Sequence, residues 1–431
     1  MCYHRISYAE FEDYAFKLAA HSMGIWFDSA MQHAEYGRYS FVTCDPIKRY
    51  YSDMQSDHKI FMQIEEDLKI FPKDKPPIPF GGGFAGYFSY DFGLTLLDID
   101  ASGEELIKTP FFCGGLYDVV LYADHIEKIA GFYATDIHPE YSAKERIMQF
   151  MALETEPEDQ PCYIDMQPVS KSESYKDNIA KTREHIAKGD IFQANIARYY
   201  RAKRPDGFDP LSFYKSLRHY NPAPFGCFMN FPSFAIMSSS PERFLKSDGD
   251  IIETRPIKGT LSDKMPADIL YNSEKDRAEN IMIVDMLRND LAKSSVTGSV
   301  KVPQLCEIES YRGLHHLVSV VTAEKPYDTH ITYVLKHALP GGSVTGTPKK
   351  HACEIISQLE QVKRGAYCGT AGYIGYDGRT DMNILIRTVT CDAQHIAFGT
   401  GCGITYESDP EAELQEAALK AQNIFKSIYP I

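Results

Sequence analysis

Apolar residues recur along this chain with two periods, and the periods separate strands from helices. From Arg38 to Thr43 apolar and polar residues alternate, as in a half-buried strand, and the run stops at Asp45-Pro46. Ser174-x-x-Asp177 predicts a capped helix with Tyr175, Ile179 and Ile186 on its apolar face and a stop at Gly189. Two longer helices are predicted over about 274–291 and 409–428. The second opens on Ser408-Asp409-Pro410-Glu411 and gathers Leu414, Ala418, Ala421, Phe425 and Ile428 on one arc. A hairpin is predicted from Tyr367–Tyr376, an Asp377-Gly378 turn and Met382–Cys391. Strands interleaved with helices, with much hairpin pairing, predict an α+β fold.

Breaks in these patterns divide the chain. Residues 72–79 form a proline-rich connector, and the acidic, proline-containing stretch 151–171 reads as a linker. An N-terminal region over 1–150 and a second region over 172–431 are expected on either side. Gly81-Gly82-Gly83-Phe84-Ala85-Gly86 matches the dinucleotide fingerprint G-x-G-x-x-G. No strand precedes it and Tyr87-Phe88-Ser89-Tyr90 reads as strand, so glycines at a sheet crossing fit better.

Composition narrows the function classes. The 431 residues hold 45 basic and 59 acidic side chains, a net charge of −14, which argues against a nucleic-acid or anionic-membrane surface. No apolar run reaches the roughly 18 residues of a membrane span, and the N-terminal segment has acids and tyrosines where a signal peptide is apolar. Ten scattered cysteines without a C-x-x-C pair fit reduced thiols and a cytoplasmic location. An anionic substrate would then need local cations or a metal.

Several motifs could carry chemistry. On the helix near 274–291, Asp276 and Glu279 share a face; on the helix near 409–428, Glu413, Glu416 and Lys420 form a stripe. Glu416 and Lys420 could be a simple surface ion pair, or the acidic faces could meet around a divalent cation. Gly341–Lys349 fails as a phosphate loop because Thr347 stands where Walker A needs lysine. It predicts a glycine turn with Thr347 as N-cap and Pro348 at the first helical position, which would suit an anion. Lys258 in Arg255-Pro256-Ile257-Lys258-Gly259-Thr260 reads as surface charge or nucleophile, and Glu242 as ion-pair partner or general acid. Of the adjacent His315 and His316, at most one enters a site.

Together these segments resemble the chorismate-utilising enzymes: the anthranilate and aminodeoxychorismate synthase large subunits with the isochorismate and salicylate synthases. The resemblance runs from about 172 to 426. It rests on SPERF (240–244), RPIKGT (255–260), DRAENIMIVDMLRNDL (276–291), HHLVS (315–319), PGGSVTGTPK (340–349), GYIGYDGRTDMNILIRT (372–388) and GCGITYESDPEAELQEA (401–417). GRYSF (37–41) and GYFSYD (86–91) extend it more loosely toward the N-terminus. It implies a sandwich of two antiparallel sheets flanked by helices. It implies Glu279 and Glu416 as Mg²⁺ ligands supported by Asp276 and Glu413, and Tyr367, Arg387, Lys420 and the backbone at Gly401 and Gly403 as holders of the substrate carboxylates. Ser343 and Thr345 fall in the same pocket, and His316 matches the family's active-site histidine.

Two positions separate the family's branches. Gln193 stands where the water-activating members carry lysine, which implies ammonia as nucleophile. Lys258 stands where anthranilate synthases carry alanine in PIAGT, as in the branch that aminates chorismate at C4 on the way to 4-aminobenzoate and folate. In that branch Lys258 would attack and Glu242 would be the general acid. A separate glutaminase subunit would supply ammonia, and a downstream lyase would release the product. Trp26-Phe27-Asp28-Ser29-Ala30 keeps the serine of the LLES segment of feedback-sensitive anthranilate synthases but not its flanks, so the resemblance does not extend to tryptophan control. The alternatives are an anthranilate-forming enzyme and a non-catalytic binding subunit on the same fold.

Overall fold

The computed structural model describes residues 2–33, 36–54, 58–69, 75–101, 103–154, 163–311 and 314–428. Part of the proline-rich connector and the centre of the expected linker, with Cys162, lie outside them.

Among these residues two large sheets carry the fold, one of 12 strands and one of 10, with every pairing in them antiparallel. Strands from before residue 150 and after residue 172 sit side by side in both. In the larger sheet Gly24–Asp28 pairs with Gly226–Phe231, and in the smaller Gly83–Phe88 pairs with Thr370–Gly375. The sheets face each other through an aromatic core that includes Phe80, Tyr87, Tyr117, Phe231 and Tyr373. Outside the larger sheet pack the helices Phe11–Ala20, Ala143–Met151, Pro210–Tyr220 and Pro410–Ile428. Outside the smaller pack Ile60–Lys69, Tyr90–Leu96, Glu274–Ala292 and Ile331–Ala338. Each helix turns its apolar stripe to a sheet, so the sandwich is α+β, as expected.

Local expectations meet the structure unevenly. The strand Tyr39–Thr43 and the helices Glu274–Ala292 and Pro410–Ile428 stand where predicted, and Asp409 Oδ1 accepts from the Glu411 and Ala412 amides at 3.1 and 2.9 Å. The glycine hexapeptide leads into the fully buried strand Gly83–Phe88. Three expectations need correction. The helix Ser172–Lys188 starts before the expected cap, with Lys171 as N-cap, though it ends at Gly189 in a left-handed conformation. Pro348 is the N-cap of Lys349–Glu360 rather than its first residue, because Thr347 is drawn into a short strand against Gln193. The second hairpin strand is not continuous: Thr380–Ile384 belongs to the smaller sheet and Thr388–Asp392 to the larger. Arg387, at φ 50°, makes the break where the chain crosses between them.

Candidate active site

The Lys258 strand, Ile257–Ser262, pairs with Leu314–Glu324 through a register shift between Lys258 and Thr260. Gly259 makes that bulge at φ +70°, and a Cβ there would come within 2.6 Å of Leu270 Cδ1 and 3.0 Å of the Asp276 carboxyl. A side chain at 259 would be strained by both backbone and space. The bulge aims Lys258 across the gap to the other sheet, where its Nζ lies 3.5 Å from where a Cβ on Gly403 would stand. The same Cβ would be 2.4 Å from Gln193 Nε2, so glycine at 403 lets two side chains approach one backbone position.

Glu242 faces Lys258 from the entry to the strand Arg243–Asp248. It is 6% exposed; burial raises its pKa to about 7, against the opposing pull of Ser343 and the Lys258 charge. At neutral pH this carboxyl is divided between acid and base. Its neighbour Arg243 turns away, to Asp381 at 2.9 Å and Glu253 at 3.4 Å.

The two acidic helices come within electrostatic range of each other. Burial raises the pKa of Glu279; Lys258 and Lys275 oppose the rise while Asp276 and Glu416 reinforce it. Lys275 lies 4.0 Å from Glu279; burial would lower its pKa, but Glu279, Glu413, Glu416 and Asp276 together raise it. Glu413 is buried and accepts from Ser408 Oγ at 2.7 Å. Burial would also raise Glu416, but Lys420 at 2.7 Å holds it below its ordinary value, so the bland reading of that ion pair is present as well. An all-oxygen donor set with like charges converging from two helices, and a lysine in its field, fits a hard divalent cation such as Mg²⁺. Cys402 lies close to Glu413 and Glu416, but burial pushes its thiol up to about 12. A protonated thiol is no ligand for Mg²⁺.

Two of the residues expected to hold the substrate are cations, Arg387 and Lys420. Arg387 makes no ion pair among the described residues, and burial lowers its pKa. His316 is buried beside it; burial first and then the Arg387 charge lower its pKa to about 4, so the ring is neutral at pH 7. His315 points elsewhere, bonding Ser310 at 2.7 Å. Lys420 Nζ also reaches the Gly401 carbonyl at 3.1 Å. Tyr367 has its ring against Gly399 and edge-on to Tyr199 at 6.1 Å. Ser343 reaches Glu242, whereas the Thr345 hydroxyl is committed to the carbonyls of Gly341 and Gly342 at 3.1 and 3.0 Å.

Gln193, marked by the sequence, and residues that it left unmarked complete the arrangement. Gln193 Oε1 and Asn195 Oδ1 are buried acceptors without partners, two positions apart on the strand Gln193–Lys203 and so on one face. Arg364 is fully buried on Glu360 at 2.7 Å and bonds the carbonyls of Val344 and Asn195 at 2.9 and 2.7 Å. Lys349, inside the PGGSVTGTPK segment, is buried 2.6 Å from Asp290 and donates to the carbonyls of Ala338 and Pro340. A separate cavity of about 550 Å³ lies by the 26–30 stretch, lined by Phe27, Asp28, Ser29, Phe41, Phe225 and Tyr373. The Ser29 hydroxyl there is spent on the carbonyls of Tyr39 and Pro224.

Comparison with known proteins agrees with this geometry. The profile of the chorismate binding enzymes matches residues 25–426. Aminodeoxychorismate synthase component 1 of Escherichia coli is 37% identical over 377 residues, which cover 86% of this chain and 82% of that protein. Anthranilate synthase component 1 of Aquifex aeolicus is 32% identical over 443 residues, covering 94% and 89%. Among solved structures, anthranilate synthase component I from Streptococcus pneumoniae superposes with a TM-score of 0.82 at 28% identity, covering 91% of this chain and 93% of that one. Matched over nearly its whole length, this chain belongs to the chorismate binding enzyme family.

Proposed function

We propose that this chain aminates chorismate at C4, giving 4-amino-4-deoxychorismate, with ammonia from a separate glutaminase subunit and a lyase downstream. The observation that carries the reading is Lys258, on the smaller sheet, acting on both Glu242 and Glu279 while its Nζ points toward Gly403 of the larger sheet. Three relatives named aminodeoxychorismate synthase component 1, at 35–37% identity, support it, against 32% for those named anthranilate synthase. The name "component 1" supports a partner subunit. A cytoplasmic setting is supported by the nine described cysteines, all free.

Chorismate is a dianion. Arg387 and Lys420 supply positive charge for its carboxylates, neutral His316 supplies a hydrogen bond, and Gly401 and Gly403 let the ring approach the backbone. Glu279 and Glu416, with Asp276 and Glu413 behind them, would hold Mg²⁺, which supplies charge stabilisation at a carboxylate and orients it. A lysine attacks only as the free amine. Lys258 Nζ bonds to C2, the ring double bonds shift, and the C4 hydroxyl leaves as water with the Glu242 proton. The secondary amine on C2 stays protonated. Ammonia bonds to C4, the double bonds shift back, and the C2–N bond breaks. The electron pair returns to Lys258, which leaves as the free amine, and the new C4 ammonium gives a proton to the Glu242 carboxylate, restoring the acid. Occupying C2 first is what directs ammonia to the para carbon. With Gln193 in place of a base, water stays a poor competitor.

The test is mass spectrometry of the products from chorismate, Mg²⁺ and ammonium salt with the purified chain. The expected product retains the enolpyruvyl group. Anthranilate with pyruvate overturns the assignment in favour of the ortho-aminating branch, and absence of turnover at any ammonia concentration favours a binding subunit. Amination at C4 that survives Lys258→Ala would refute the covalent route.

A further inference from the structure

One buried lysine holds the turn that carries Ser343. Lys349 opens the helix Lys349–Glu360, and its Nζ donates back to the carbonyls of Ala338 and Pro340 at 2.8 and 2.7 Å. The same ammonium lies 2.6 Å from Asp290 Oδ2, with both side chains almost fully buried. The two carbonyls precede the turn and Lys349 follows it, so a single side chain ties its ends together. Asp290 sits about three helical turns after Glu279 on the helix Glu274–Ala292, and therefore on the same face. That helix thus presents acids at its N-terminal half and an anchor for the turn at its C-terminal half. Arg364 takes the Val344 carbonyl from the far side. The tip between these anchors is Ser343, against the Glu242 carboxyl.

We infer that Lys349, braced by Asp290, is a positioning residue that sets Ser343 against Glu242 and so tunes the general acid of the amination. The inference rests on the proposed role of Glu242. Glu242 faces one charged group, Lys258 from the strand Ile257–Ser262, and one hydroxyl, Ser343 from the turn. A hydroxyl donated to the carboxylate stabilises the ionised form, so its loss raises the pH at which the acid is spent.

The experiment compares the alkaline limb of kcat, measured on the intact chain with chorismate, Mg²⁺ and ammonium, across four variants. Ser343→Ala is expected to move the limb upward by about one pH unit, the worth of one charge-assisted hydrogen bond. Lys349→Met is expected to move it equally, and the double variant no further, because both remove the same contact. Lys349→Arg should return the limb part of the way. In the Lys349→Met protein Asp290 Oδ1 keeps Lys293 at 3.2 Å while the buried Oδ2 loses its ion pair, so a loss of thermal stability is expected alongside the shift of the limb. A Lys349→Met protein that loses thermal stability but keeps the wild-type limb while Ser343→Ala shifts it overturns the inference, as do additive shifts. A limb unmoved in Ser343→Ala as well overturns the role of Glu242 itself, and the inference with it.

Discussion

Glu242 owes its raised pKa to burial first, and Lys258 and Ser343 pull it back only to about 7. A general acid must carry its proton, so the rate is expected to fall as pH rises through about 7. In Glu242→Gln this limb should vanish and kcat should drop by roughly 10²–10⁴; steady-state rates between pH 5.5 and 9 check both. His316 behaves oppositely. Held neutral by burial beside Arg387, it would, in the proposed reaction, offer the substrate a hydrogen bond rather than a charge. The identities of these residues were legible in the sequence through their motifs. Their protonation was not, because burial and neighbouring charge come from segments far apart in the chain. Gln193 Oε1 and Asn195 Oδ1 show the same limit: an amide looks alike in any sequence, and only packing leaves its acceptor unpaired.

Elements place those residues by small backbone irregularities. Gly259 in its bulge is expected not to tolerate alanine: positive φ alone costs about 1–2 kcal/mol, and the new Cβ would press on Leu270 and Asp276. Gly259→Ala should lower the melting temperature and reduce kcat more than chorismate affinity, as calorimetry and kinetics together would show. The two acidic helices were predicted from periodicity and cap residues, which are local. That their acidic faces meet followed only from the resemblance, and the Lys275 charge among them from neither. Because burial first, and then the charges of Asp276 and Glu416, raise Glu279, Glu279→Gln is expected to weaken divalent-cation binding at least tenfold without lowering the stability of the metal-free protein. Titration calorimetry with Mg²⁺ and thermal melts in chelator measure the two halves; undiminished Mg²⁺ affinity would remove Glu279 from the ligand set.

At the scale of the whole molecule, both sheets are shared between the first 150 residues and the rest, so neither portion closes a sheet by itself. The segment 172–431 expressed alone would expose the strands that pair with Gly24–Asp28 and Gly83–Phe88. It is expected to lack the cooperative melt in circular dichroism that the intact chain, with both sheets complete, is expected to show. A folded, cooperative 172–431 fragment would show that the sheets do not depend on the shared pairings. The sequence by itself determined the helices, most strand cores, the absence of a nucleic-acid-like charge and the list of reactive side chains, because periodicity, caps and motifs are written in neighbouring residues. Only the tertiary structure decided that the presumed hairpin strand breaks at Arg387 to cross between sheets, that Thr347 joins a strand instead of capping a helix, and that Lys349 ties the Ser343 turn to Asp290. Each of these depends on partners distant in sequence, where the free energy of packing and pairing outweighs local preference.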